Sequence, residues 1–126
     1  MLDFSRGKFH AYRLSEVKYS DVEKFVAPLM TSKESVLGTF IAGRDYVVFT
    51  TKRLITIDKQ NGRKTDFTSI PYTSIDVFSV ETAGLLDLDA ELDIFIKGVG
   101  KFTFEFGRST SMTAICGYIA ESKFNL

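Results

Sequence analysis

Between Asp87 and Lys97 the chain reads D-L-D-A-E-L-D-I-F-I-K, with a carboxylate at every odd position from Asp87 to Asp93 and an apolar residue at every even position to Ile96. Successive side chains of a strand point to opposite faces, so a period of two predicts a strand with one wet and one buried side. Leu88, Ala90, Leu92, Ile94 and Ile96 fall on the buried side, and Asp87, Asp89, Glu91 and Asp93 form an acidic row opposite.

Similar patterning fills the middle of the chain. From Glu34 to Phe106, short runs rich in Val, Ile, Phe, Tyr and Thr alternate with turn residues, which predicts an antiparallel sheet protein. Seven strands are expected: Ser35 to Ala42, Asp45 to Thr50, Arg53 to Lys59, Lys64 to Ile70, Ile75 to Thr82, Glu91 to Lys97 and Lys101 to Phe106. Asn61-Gly62 suits a type I′ hairpin, because both residues tolerate the positive φ such a turn demands. Gly98-Val99-Gly100 joins the last two strands, and Phe102, Phe104 and Phe106 alternate with Thr103 and Glu105. Ser69-Ile70-Pro71-Tyr72 reads as a strand ending in a turn, since Pro cannot donate to a ladder.

Helices are expected at both ends. Ser20-Asp21-Val22-Glu23 has the spacing of a capping box, Phe25, Val26 and Leu29 follow at helical intervals, and Pro28 limits the helix. Residues 1–19 are ambiguous, although Phe4, Phe9, Tyr12 and Leu14 suggest a segment that docks on the domain. After Gly107, Met112, Ile115, Cys116, Ile119 and Ala120 mark an amphipathic helix that covers a hydrophobic opening. The expected fold is mainly β, with seven antiparallel strands in two near-orthogonal sheets closed by a C-terminal α-helix, plus an additional N-terminal helix. One domain is expected over 1–126, with an N-terminal extension and helix in 1–30, strands in 34–106 and the final helix in 109–124.

Composition narrows the function classes. Sixteen basic residues balance sixteen acidic ones, which argues against a general nucleic-acid binder. The start, M-L-D-F-S-R-G-K-F-H, lacks a secretory hydrophobic stretch, and no window approaches the roughly eighteen apolar residues of a membrane span. A single cysteine, Cys116, forms no internal disulfide and fits a reducing cytoplasm. A soluble cytoplasmic protein is therefore expected.

The stretches Arg44-Asp45-Tyr46-Val47-Val48-Phe49-Thr50-Thr51-Lys52-Arg53-Leu54, Ser69-Ile70-Pro71-Tyr72-Thr73-Ser74-Ile75, Glu81-Thr82-Ala83-Gly84 and Asp87-Leu88-Asp89-Ala90-Glu91-Leu92 resemble the bacterial pleckstrin-homology domain family. The resemblance implies a small, usually cytoplasmic, PH-like barrel without known catalytic activity. It also implies association into ring-shaped homo-oligomers.

The residues themselves favour interaction over chemistry. His10 is the sole histidine, Cys116 lies on an apolar helical stripe as a small hydrophobe would, and no nucleophile motif, phosphate loop or Cys/His metal set occurs. No catalytic residue, metal or cofactor is expected. An EF-hand loop starting at Asp87 would need Gly and Glu where Leu92 and Gly98 stand. The acidic row is either solvated, paired with bases on neighbouring strands, or met by basic residues of another protomer. Asp87, Asp89, Glu91 and Asp93, with Lys52, Arg53, Lys59, Arg63 and Lys64, are the candidate oligomer interface. The function expected is a non-enzymatic module that self-associates, in a ring by resemblance, as a scaffold for a protein partner. The alternative is peripheral binding of anionic lipid or another anionic ligand through Arg44, Lys52 and Arg53, although Arg44 beside Asp45 more readily forms a structural pair. A third reading, peptide capture on an exposed strand edge, follows from sheet physics.

Overall fold

The computed structural model describes residues 8–60, 64–82, 90–107 and 112–124. Among the described residues there are eight strands: β1 (Lys8–Glu16), β2 (Val36–Ala42), β3 (Asp45–Thr50), β4 (Arg53–Gln60), β5 (Lys64–Pro71), β6 (Val77–Thr82), β7 (Ala90–Ile96) and β8 (Gly100–Phe106). Two α-helices accompany them, α1 (Glu23–Val26) and α2 (Met112–Phe124). The seven expected strands all form, and β1 is the eighth, lying within the segment whose sequence was ambiguous.

β1 joins two antiparallel meanders. The strand order is β5-β4-β3-β2-β1-β8-β7-β6. β1 runs parallel to β8 from Lys8 opposite Lys101 to Leu14 opposite Phe106. It then meets β2 antiparallel, with Ser15 opposite Ile41 and Glu16 opposite Phe40. Its register along β8 shifts between Ala11 and Leu14. Arg13 sits at the shift with φ 51°, the one positive φ among described non-glycine residues. Such an irregularity breaks the two-residue period that identifies strands by sequence.

The sheet curls over one aromatic core. Phe106 of β8 lies 4.8 Å from Phe40 of β2 and 5.8 Å from Phe49 of β3, ring centre to ring centre, and Phe49 lies 6.3 Å from Phe104. β3 and β8 are separated by two strands in the order, so these contacts require the sheet to fold back on itself. α2 buries Met112, Ile115 and Ile119 in the same core and packs against β2 and a 3₁₀ turn at Tyr72–Ser74. Tyr72 is fully buried and donates its hydroxyl to the Thr50 carbonyl at 2.6 Å, while burial, with the nearby Glu34 charge, drives its ionisation well above the usual phenol range.

Two expectations change. Among the described residues the strands form one hydrogen-bonded series in which β1 links the β2–β5 ladder to the β6–β8 ladder, and the series is not closed, since β5 and β6 are its ends. The helix expected from Ser20 is a 3₁₀ turn at Tyr19–Asp21, the four residues of α1, and a second 3₁₀ turn at Ala27–Leu29 containing Pro28. Val22 takes the N-cap position of α1 without a side-chain cap bond, so Ser20 and Glu23 form no capping box. Tertiary burial decides the matter: Val22 and Val26, four residues apart, are both fully buried against Val48, Ile55 and Ile57. β3 and β4 are thereby covered on both faces, and Pro28 prevents a longer helix.

The hairpins mostly agree with expectation. Asn61-Gly62 lies outside the described residues, but Gln60 opposite Lys64 brackets that turn. Ile96 opposite Gly100 closes the last hairpin around Gly98 at φ 79°. The run expected from Ile75 becomes β6 only at Val77, because the chain is still leaving the Tyr72–Ser74 turn.

Candidate functional site

Pairing across β6, β7 and β8 arranges the outer face in three rows. Val77, Phe95 and Lys101 stand opposite one another, as do Ser79, Asp93 and Thr103, and then Glu81, Glu91 and Glu105. Three carboxylates directly across a sheet repel one another. Burial raises the proton affinity of Glu91, and the charges of Asp93, Glu81 and Glu105 raise it further. Asp93 is better compensated: Thr103 donates its hydroxyl to Oδ1 at 2.7 Å, and the Lys101 ammonium lies 3.9 Å from Oδ2 while sitting 5.8 Å from the Phe95 ring centre. A cleft of about 550 Å³ opens beside the glutamate row, bounded by Arg13, Ser15 and Gly107.

Of the expected acidic row, Glu91 and Asp93 share this outer face, whereas Asp87 and Asp89 lie outside the described residues. Glu81 and Glu105 join it unanticipated. The signal for Glu105 was available: closing the hairpin at Ile96 and Gly100 puts Glu91 opposite Glu105.

The basic residues do not gather at one place. Lys52 and Arg53 stand at the start of β4 and Lys59 near its end, separated by roughly 20 Å of extended strand. Arg53 is committed within its own protomer. Its Nη2 meets Glu34 Oε1 at 2.8 Å and also the Leu29 carbonyl, Nε donates to Glu34 Oε2 at 3.2 Å, and Nη1 to Ser69 Oγ at 3.2 Å. Thr50 donates its hydroxyl to Glu34 at 2.7 Å and the Thr31 N–H donates at 3.0 Å. Burial opposes the charge on Glu34, but these donors outweigh it and hold the carboxyl at about 2.

Lys59 belongs to a different surface. Its ammonium lies 5.2 Å from the Phe25 ring centre and 5.4 Å from that of Tyr46, and Lys24 approaches Phe25 at 5.1 Å. Two lysines thus meet on one aromatic pair beside α1, on a segment that also exposes Asp21 and Glu23. Lys64 is exposed on β5, Lys52 is exposed in the β3–β4 turn, and Arg63 lies outside the described residues.

The inward end of β3 to β5 is acidic. Asp58 of β4 stands opposite Asp66 of β5 and is 6% exposed. Burial raises the proton affinity of Asp45, and a hydrogen bond and charge from Asp58 raise it further. Arg44 adjoins this group in the β2–β3 turn and has an interaction of its own within the chain. Asp58 lies within the expected strand Arg53 to Lys59, where a single charge after the run L-I-T-I gives no sign of burial. His10 lies in β1, and Cys116 is half-buried on α2 with its thiol pushed up by burial.

This architecture has relatives. Residues 8–122 match the Bacterial PH domain family, a span that takes in every strand and nearly all of α2. The chain belongs to the bacterial PH domain family. Among solved structures, this PH domain is similar to a DUF1696 family protein with a pleckstrin-homology domain from Shewanella loihica PV-4. That likeness has 37% identity and a TM-score of 0.68, covering 88% of this chain and 97% of the other. It is also similar to a pleckstrin homology domain from Shewanella amazonensis SB2B, with 39% identity and a TM-score of 0.56 over 86% and 90% of the two chains. The uncharacterized protein YjqA of Bacillus subtilis is 50% identical over 86 residues, which are 67% of this PH domain and 69% of YjqA.

Proposed function

We propose that this bacterial PH domain is a non-catalytic, cytoplasmic interaction module whose curled sheet is a PH-like barrel left open between β5 and β6. Its copies associate head to tail into a ring-shaped homo-oligomer that acts as a scaffold for a protein partner. The observation that carries this reading is the separation of charge. The outer face of β6 to β8 presents Glu81, Glu91, Asp93 and Glu105, whereas the surface around Phe25 and Tyr46 presents Lys24 and Lys59. The formal net charge of the chain is zero. Contact between unlike faces of identical copies generates a ring when the rotation closes.

Light scattering at low and high salt tests the assembly. A mass several times that of one chain is expected at low salt, reduced by Glu91→Lys and by Lys59→Glu separately and restored in part when the two variants are mixed. One-chain mass at all concentrations overturns the reading. Anionic-lipid binding is less well supported, since Arg53 is held by Glu34, Lys52 lies at the far end of β4 from Lys59, and Arg44 borders the aspartates of β3 to β5.

A further inference from the structure

β5 and β6 end the strand order, and their two edges differ in character. On β5, the residues that share the core-facing side with Ile70 are Thr68, Asp66 and Lys64, and Pro71 ends the strand. Charges and proline on an edge discourage pairing with another chain. β6 carries neither Lys nor Pro. Its core-facing Phe78 and Val80 stand opposite Ile94 and Leu92, which are fully buried, yet Val80 is 36% exposed and Phe78 only partly buried. The apolar interior thus reaches solvent along β6, because among the described residues no strand continues the sheet there. On the outer side, Val77 is 58% exposed and Glu81 begins the row that continues through Glu91 and Glu105.

We propose that the β6 edge receives an extended, basic segment of another protein as a ninth strand. Backbone pairing supplies affinity on such an edge, and alternate side chains supply selectivity. One set of apolar side chains seats beside Phe78 and Val80 and completes the cover that β7 lacks on that side. The other set lies beside Val77, Ser79 and Glu81, where Lys or Arg relieves the repulsion of the glutamate row. The partner segment therefore alternates apolar with basic residues. The inference goes beyond self-association and does not depend on it, because the site is an edge of one protomer.

Fluorescence anisotropy with an N-acetylated, labelled Lys-Val-Lys-Val-Lys-Val-Lys peptide tests the site on the whole protein. Saturable binding that weakens with added salt is expected, with a Glu-Val counterpart and a peptide carrying Pro at the central Val failing to bind. Glu81→Lys should weaken the Lys-Val peptide about fivefold and Val80→Lys about tenfold, the scale of one rim charge and one buried anchor. Glu121→Lys, on the exposed side of α2, should leave binding unchanged. Hydrogen exchange on the wild-type protein should show peptide-dependent protection of β6, a readout that survives if a variant misfolds. Equal binding of the Lys-Val and Glu-Val peptides, or protection elsewhere than β6, overturns the proposal. So does an oligomer in which β6 is already protected and the peptide fails to bind, since a second copy then occupies the edge. A one-chain mass with intact peptide binding would overturn the assembly alone.

Discussion

Arg53 approaches Glu34 to 2.8 Å at a point where the Glu34 side chain is 1% exposed. The pair fastens the segment after α1 to the start of β4. Removing one member of a buried pair leaves the other charged and unsatisfied, so Arg53→Ala should cost about 3 kcal/mol. Urea denaturation of the variant measures it. Replacing both residues with apolar ones, Glu34→Met with Arg53→Leu, should recover much of the loss, because the desolvated charge disappears as well.

Acid should weaken the fold through the same carboxylate. Glu34 is held at about 2, below its ordinary 4.5, so its contribution is complete above 4.5 and is lost as pH falls towards about 2. That interval corresponds to about 3 kcal/mol. Thermal melts from pH 6 to pH 2 should show a steep fall for the wild type and a shallower one for Glu34→Gln.

Thr56 is buried on the inward side of β4, and among the described residues its hydroxyl oxygen has no hydrogen-bond partner. A buried hydroxyl without a partner costs its desolvation, whereas a methyl of the same shape does not. Thr56→Val, next to Val47 across the ladder, should therefore stabilise the protein by about 1 kcal/mol. An unchanged or lower denaturation midpoint would show that the hydroxyl is satisfied in solution.

Glu91, between Glu81 and Glu105, should tolerate loss of its charge. Its proton affinity is raised in the fold, so its ionised form disfavours the folded state once pH rises past the ordinary carboxylate range. Glu91→Gln should stabilise by about 0.5 kcal/mol at neutral pH. The gain should shrink in high salt and vanish in acid.

The outlines of this fold are legible in the sequence wherever one face of a strand is buried and the other wet. Leu92 and Ile94 inward with Glu91 and Asp93 outward is such a case, and α2 announces itself through Met112, Ile115 and Ile119. β1 is less legible because its register shifts between Ala11 and Leu14. The Ser20 capping box misleads, since local cap chemistry is worth less than burying Val22 and Val26 together. The site is harder to read, because its charges acquire meaning only through register. Glu81, Glu91 and Glu105 lie far apart in the chain and become one row through two hairpins. Arg53 looks like a free surface base until the fold brings Glu34 to it.

β1 also sets the order in which the protein can be completed. Lys8 pairs with Lys101, so β1 must wait for β8, a strand made after all the others described. Such distant partners carry a high closure entropy and slow the final step of folding. Until β8 emerges, the β2–β5 meander can assemble by hairpins alone, while β1 keeps an unmet hydrogen-bonding edge. A nascent chain halted before Gly100 is thus the form most exposed to chaperones and to misassembly.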